Sequence, residues 1–89
     1  MTDKMDSLLP PELLDAARRV VDANRAAGRR IALAESCTGG LVAAAITEIP
    51  GSSDVLGSSF VTYSNEAKVS MLDVPFEMIE TFGAVSIAV

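Results

Sequence analysis

The segment Ile31-Ala32-Leu33-Ala34-Glu35-Ser36-Cys37-Thr38-Gly39-Gly40-Leu41 most constrains the fold, because a short apolar run delivers small polar residues and two glycines into a second apolar run. That order spells a strand, a tight turn and the start of a helix. At such a junction the first backbone N–H groups of the helix lack intrahelical partners, and with the helix dipole they favour an anion or a developing oxyanion. Ser36 brings a hydroxyl to this turn, Glu35 a carboxylate and Cys37 a thiol. The same residues also have an ordinary structural reading, since Ser and Thr are common N-caps and Gly-Gly is a common tight turn.

Upstream, Pro10-Pro11 opens a helix on which Leu13, Leu14, Ala17, Val20, Val21 and Ala27 share one face, with Asp15, Arg18, Arg19, Asp22 and Arg25 mostly opposite. The spacing predicts pairing of Asp15 with Arg19 and of Asp22 with Arg25 along the solvated side, and a left-handed stop at Gly28. Ile31 to Ala34 shows no polar alternation, which is how a strand covered on both faces reads. Beyond the turn, Leu41 to Ile49 reads as a helix ended by Pro50-Gly51, and Val55 to Tyr63 as the next strand. The result is a βαβ unit whose strands, near 31–35 and 55–63, run parallel. Ser36 and Tyr63 then share the sheet edge where open α/β folds bind ligands. Ser64-Asn65 caps a short helix, Glu66 to Leu72, whose first turn carries Lys68 back over that edge. A further short helix spans Pro75 to Phe82, and Ser86 reads as the N-cap of one beginning at Ile87.

Composition narrows the chemistry. Eighty-nine residues make one domain at most, with a thin core, and 49% apolar content with a net charge of −5 marks a folded soluble segment. The seven Lys and Arg residues are scattered, which argues against a nucleic-acid partner. No apolar run reaches membrane-spanning length and Met1-Thr2-Asp3-Lys4-Met5-Asp6 carries no secretory pattern, so a cytoplasmic location is expected, with no membrane partner. One cysteine and no histidine disfavour a metal site. The lack of histidine also removes the usual base for a serine hydroxyl, leaving Lys, Glu, Asp or a Tyr phenolate. Lys68 is the strongest of these; a lysine acts as a base only as the neutral amine, which burial or a nearby cation favours. Glu35 would oppose that unless it pairs elsewhere. In their ordinary readings Lys68 is an exposed helix lysine, Tyr63 a strand-end aromatic and Glu66 a helix-dipole carboxylate. Cys37 fills a tight turn or, alternatively, is itself a nucleophile.

Ala34-Glu35-Ser36-Cys37-Thr38-Gly39-Gly40, then Pro50-Gly51-Ser52-Ser53, then Val61-Thr62-Tyr63-Ser64-Asn65-Glu66-Ala67-Lys68, and finally Gly83-Ala84-Val85-Ser86 stand in register along the chain. In order and spacing they resemble the CinA C-terminal domain family, the nicotinamide-nucleotide amidases. The resemblance spans residues 8–89, after a tail of residues 1–7. It implies an α/β fold, the first half of a three-layer α/β/α sandwich. It further implies hydrolysis of the carboxamide of nicotinamide mononucleotide, a small-molecule substrate, to nicotinic acid mononucleotide and ammonia by a Ser/Lys mechanism without metal or cofactor. By motif position Ser36 is the nucleophile, Lys68 the general base and Tyr63 their support, with Glu35, Cys37, Thr38, Gly39, Gly40 and Asn65 as substrate-binding residues. Asp73 stands where that family often has Gly, a departure of little expected consequence. Two other function classes fit the residues. One is a non-catalytic module whose Ser-Thr-Gly-Gly turn holds a nucleotide phosphate opposite Lys68. The other is a competence- or damage-related interaction protein, whose unpaired sheet edge admits a partner, a second copy of the chain included.

Overall fold

A computed structural model describes residues 7–89, so the expected tail over 1–7 lies, except for Ser7, outside the described residues. Helix α1, Pro11–Ala26, begins where Pro11 needs no N–H partner and where the Pro10 carbonyl accepts from Leu13 and Leu14. Its apolar stripe buries Leu14, Ala17 and Val21, whereas Val20 and Ala27, expected on the same face, stay exposed at its margin. The helix stops at Gly28, which sits at φ +67°, and the N–H groups of Gly28 and Arg29 close onto the carbonyls of Arg25 and Asn24. This is a Schellman ending, and only glycine enters it without steric cost. The expected Asp22–Arg25 pairing gives way to a longer one: the Arg25 guanidinium reaches across to Asp54, and that contact holds the Asp54 carboxyl below its ordinary range.

Strand β1, Ile31–Glu35, and strand β2, Leu56–Val61, form a two-stranded parallel sheet joined through helix α2, Leu41–Glu48, and a single 3₁₀ turn at Ser52–Asp54. Ile31 pairs with Leu56, a register shift follows, and Glu35 ends opposite Val61. Ala17 and Val21 from α1 meet Ala45, Ile46 and Ile49 from the end of α2, together with Val55, and Ile31, Leu33 and Leu56 close the cluster from the sheet. Alanine at 17 and 45 lets the two helices approach closely over this small core. Ser7 ties the chain entry to it by donating to Glu48 at the far end of α2.

Two expectations about the strands need correction. Ile31–Ala34 is covered on one face only, since Ala32 and Ala34 are exposed among the described residues. β2 is shorter than 55–63, because Val55 closes the preceding turn and the chain leaves the sheet after Thr62, whose N–H still donates to the Glu35 carbonyl at 2.8 Å.

Helix α3, Asn65–Leu72, starts at Ser64, whose Oγ accepts from the Ala67 N–H at 3.0 Å. It ends at Asp73 in the left-handed region, φ +58°, the one non-glycine residue so placed among the described residues. Asp tolerates this conformation at a cost that Gly avoids. Asp73→Gly in a protein carrying the complete domain is therefore expected to raise stability by up to about 1 kcal/mol, read as a higher thermal midpoint. Helix α4, Phe76–Phe82, packs on α3. Ser86 makes the hydrogen bond expected of an N-cap, accepting from the Val89 N–H at 3.2 Å, although residues 87–89 do not form a helical turn.

Candidate active site

The C-terminal ends of β1 and β2 open into a cleft of about 260 Å³. Ala34, Glu35, Ser36 and Cys37 form one wall, and Thr62, Lys68 and Leu72 another. Ala84, Val85 and Ser86 close it from the last segment of the chain. An adjoining hollow shares Ser36, Cys37, Lys68, Ala84 and Val85 and adds Tyr63 and Asn65. Of the residues singled out in the sequence, Glu35, Ser36, Cys37, Tyr63, Asn65 and Lys68 thus come together. They do so because parallel strands deliver Ser36 and Tyr63 to one edge and the first turns of α3 fold back over it.

Lys68 is only 6% exposed, and its Nζ donates to the main-chain carbonyl of Tyr63 at 3.0 Å. No carboxylate among the described residues lies within ion-pair distance of it. The exposed-lysine reading therefore fails. Tyr63 supports Lys68 through its backbone, while the residue as a whole is 73% exposed at the cleft mouth. Ser36 is half-buried and Cys37 exposed beside it.

Glu35 does pair elsewhere. One carboxylate oxygen accepts from Thr38 Oγ1 at 2.6 Å and from the Val42 N–H at 2.8 Å, and the other accepts from the Ala43 N–H at 3.0 Å. The turn makes this possible: Gly39 and Gly40 lie at φ +68° and +113°, which swings the start of α2 back toward the end of β1. The start of α2 is thus not the open anion site expected of it, since its own chain supplies the anion. Gly39 N–H is likewise spent on the Ser36 carbonyl, and Gly40 N–H faces Thr38 Oγ1. Thr38, Gly39 and Gly40 build the turn and do not line the cleft.

Burial opposes the Glu35 charge, yet the hydrogen bonds from Thr38, Ala43 and Val42 outweigh it and hold the carboxyl below its ordinary pKa. A carboxyl whose pKa is lower folded than unfolded lends stability that is present above the unfolded value and is lost as pH falls through the folded one. A plot of thermal midpoint against pH, from about pH 7 to about pH 3, is expected to fall at its acid end and to fall less in Glu35→Gln. Glu35→Ala, which strips two helix N–H groups of their acceptor, is expected to cost about 1–3 kcal/mol of stability at neutral pH.

Several cleft residues were not singled out as site residues in the sequence, Thr62, Val85 and Ser86 among them. The alternation of β2 could have pointed to Thr62, two positions beyond Phe60 and on the same side of the strand. Among the described residues no cluster of His, Cys, Asp or Glu could hold a metal ion, and no helix is long and apolar enough to cross a membrane.

Residues 14–89 match the family described as the CinA C-terminal domain. The chain belongs to that family. A CinA-like protein of Mycobacterium avium is 62% identical over 60 residues, 67% of this chain and 14% of its own length. A CinA-like protein of Desulfovibrio desulfuricans is 52% identical over 67 residues, 75% of this chain and 16% of its own. The crystal structure of the competence/damage inducible protein CihA from Agrobacterium tumefaciens superposes with a TM-score of 0.89 at 50% identity, covering 92% of this chain and 50% of that one. The chain therefore spans a small part of the length of these curated CinA relatives and half of that solved structure. Every cleft residue, from Ala34 to Val89, falls inside the CinA match.

Proposed function

We propose that residues 8–89 are the N-terminal half of a CinA C-terminal-like amidase domain that hydrolyses the carboxamide of nicotinamide mononucleotide. The observation that carries this reading is the meeting of Ser36 and a buried, carboxylate-free Lys68 in one cleft. Ser36 Oγ attacks the carboxamide carbon while Lys68 Nζ, as the neutral amine, takes the hydroxyl proton. The C–N bond breaks, the proton passes from Lys68 to the departing nitrogen, and ammonia leaves. Water then cleaves the acyl ester on Ser36, giving nicotinic acid mononucleotide and the free hydroxyl. Burial of Lys68 and its tether to the Tyr63 carbonyl hold the amine at the cleft wall.

The non-catalytic alternative, a phosphate seated on the Ser-Thr-Gly-Gly turn, has less support, because a phosphate there would compete with the Glu35 carboxylate for Val42 and Ala43. The test is incubation of a protein carrying the complete domain with nicotinamide mononucleotide. Stoichiometric ammonia and nicotinic acid mononucleotide are expected, and their absence under conditions where the nucleotide binds would overturn the amidase reading. Cys37→Ser is expected to keep substantial activity, and a loss beyond about 100-fold with normal folding would transfer the nucleophile's role to the thiol.

A further inference from the structure

Thr62 is 2% exposed and lines the cleft with Ser36 and Lys68. Its backbone N–H is bound to the carbonyl of Glu35, the residue before Ser36, so its main chain is fixed to the strand that carries the serine. Its hydroxyl enters no hydrogen bond among the described residues. No described side-chain oxygen or nitrogen sealed from solvent is left without a partner. The small exposed part of Thr62 therefore includes its hydroxyl, and Thr62 is a lining residue of the cleft. A buried hydroxyl kept unpaired loses hydrogen bonds it would make in water, unless a ligand or water restores them. Ala34, Leu72 and Val74 add apolar lining to the same cleft.

We propose that Thr62 is a substrate-binding residue whose Oγ1 hydrogen-bonds the carboxamide group presented to Ser36. The assignment rests on the amidase reading for the identity of the ligand. A hydroxyl offers one donor and two acceptor positions, so it can meet either the carbonyl oxygen or the N–H of a carboxamide lying against the floor of the cleft. Packing alone would make a different demand at this position. It would be met by Val, which keeps the branched shape, and poorly by Ser, which loses a methyl group.

The test compares Thr62→Val and Thr62→Ser in a protein carrying the complete domain. With nicotinamide mononucleotide as substrate, Thr62→Val is expected to raise KM about 10-fold or more with kcat changed much less, and Thr62→Ser to stay within about 3-fold of wild type. The opposite order, Val near wild type and Ser impaired in thermal midpoint and activity together, would overturn the assignment in favour of packing. A second measurement separates this inference from the amidase reading: calorimetric binding of nicotinamide mononucleotide to the Ser36→Ala protein, with and without Thr62→Val. Weaker binding in the double variant supports the contact even if no ammonia is released by wild type. Unchanged binding overturns it even if wild type is an active amidase.

Discussion

Ser36→Ala and Lys68→Ala, each made in a protein carrying the complete CinA C-terminal domain, are expected to abolish ammonia release from nicotinamide mononucleotide while the protein still folds. Removing the base alone forfeits roughly 10²- to 10⁴-fold in rate, and removing the nucleophile leaves no acyl intermediate to form. Because Lys68 is buried, Lys68→Met is the better control for its stem: it keeps most of the packed volume and lacks the amine. Circular dichroism and the thermal midpoint establish folding, and trapping of an acyl-enzyme from a slow carboxamide analogue is expected for wild type and not for Ser36→Ala. Turnover near wild type in Lys68→Met would remove the lysine from the chemistry and leave it as a counter-charge for the nucleotide phosphate.

The second large effect concerns the 89 residues on their own, which are expected to be inactive and to self-associate. A sheet of two strands is marginal without covering layers, and here one face of β1 is open. Val61, Met71, Phe76, Phe82, Val85 and Ile87 are all exposed, apolar side chains through which copies of the chain can associate. The radius of gyration, 15.1 Å, also exceeds the roughly 12 Å of a compact chain of this length. Ordering each residue costs about 1–2 kcal/mol, and so small a core offsets little of it. Light scattering and thermal denaturation of the purified chain check this. A monomer that unfolds cooperatively and releases ammonia would mean that these 89 residues carry the whole site.

The local grammar of the chain was legible where one residue settles one conformation. Gly28 and Ser64 end and begin their helices as their chemistry requires, and the strand–turn–helix around Ser36 places the hydroxyl at the sheet edge. What was not legible depends on how distant pieces meet. The apolar run Ile31–Ala34 tells which neighbours its side chains tolerate, and says nothing of whether the covering layer lies within the same stretch. Glu35 could have faced either a ligand or α2, and the choice is made by the left-handed turn at Gly39 and Gly40, whose angles no composition argument yields. Arg25 found Asp54 only because the 3₁₀ turn carries that carboxylate alongside α1. Thr62 escaped notice because one hydroxyl inside a strand looks the same whether it faces solvent, a packed layer or a ligand.

The tether between Lys68 and position 63 runs to a main-chain oxygen, an atom that every amino acid possesses. The amine's location is thereby insulated from the identity of the side chain at that position. Phe, Leu or His in place of Tyr63 would leave the same carbonyl in the same strand-end geometry, while altering the shape and polarity of the cleft mouth. The two duties of this position, anchoring an amine and greeting what enters, can drift independently. A lineage could reshape the mouth of the cleft by mutating one exposed ring without disturbing the lysine held five residues further along the chain.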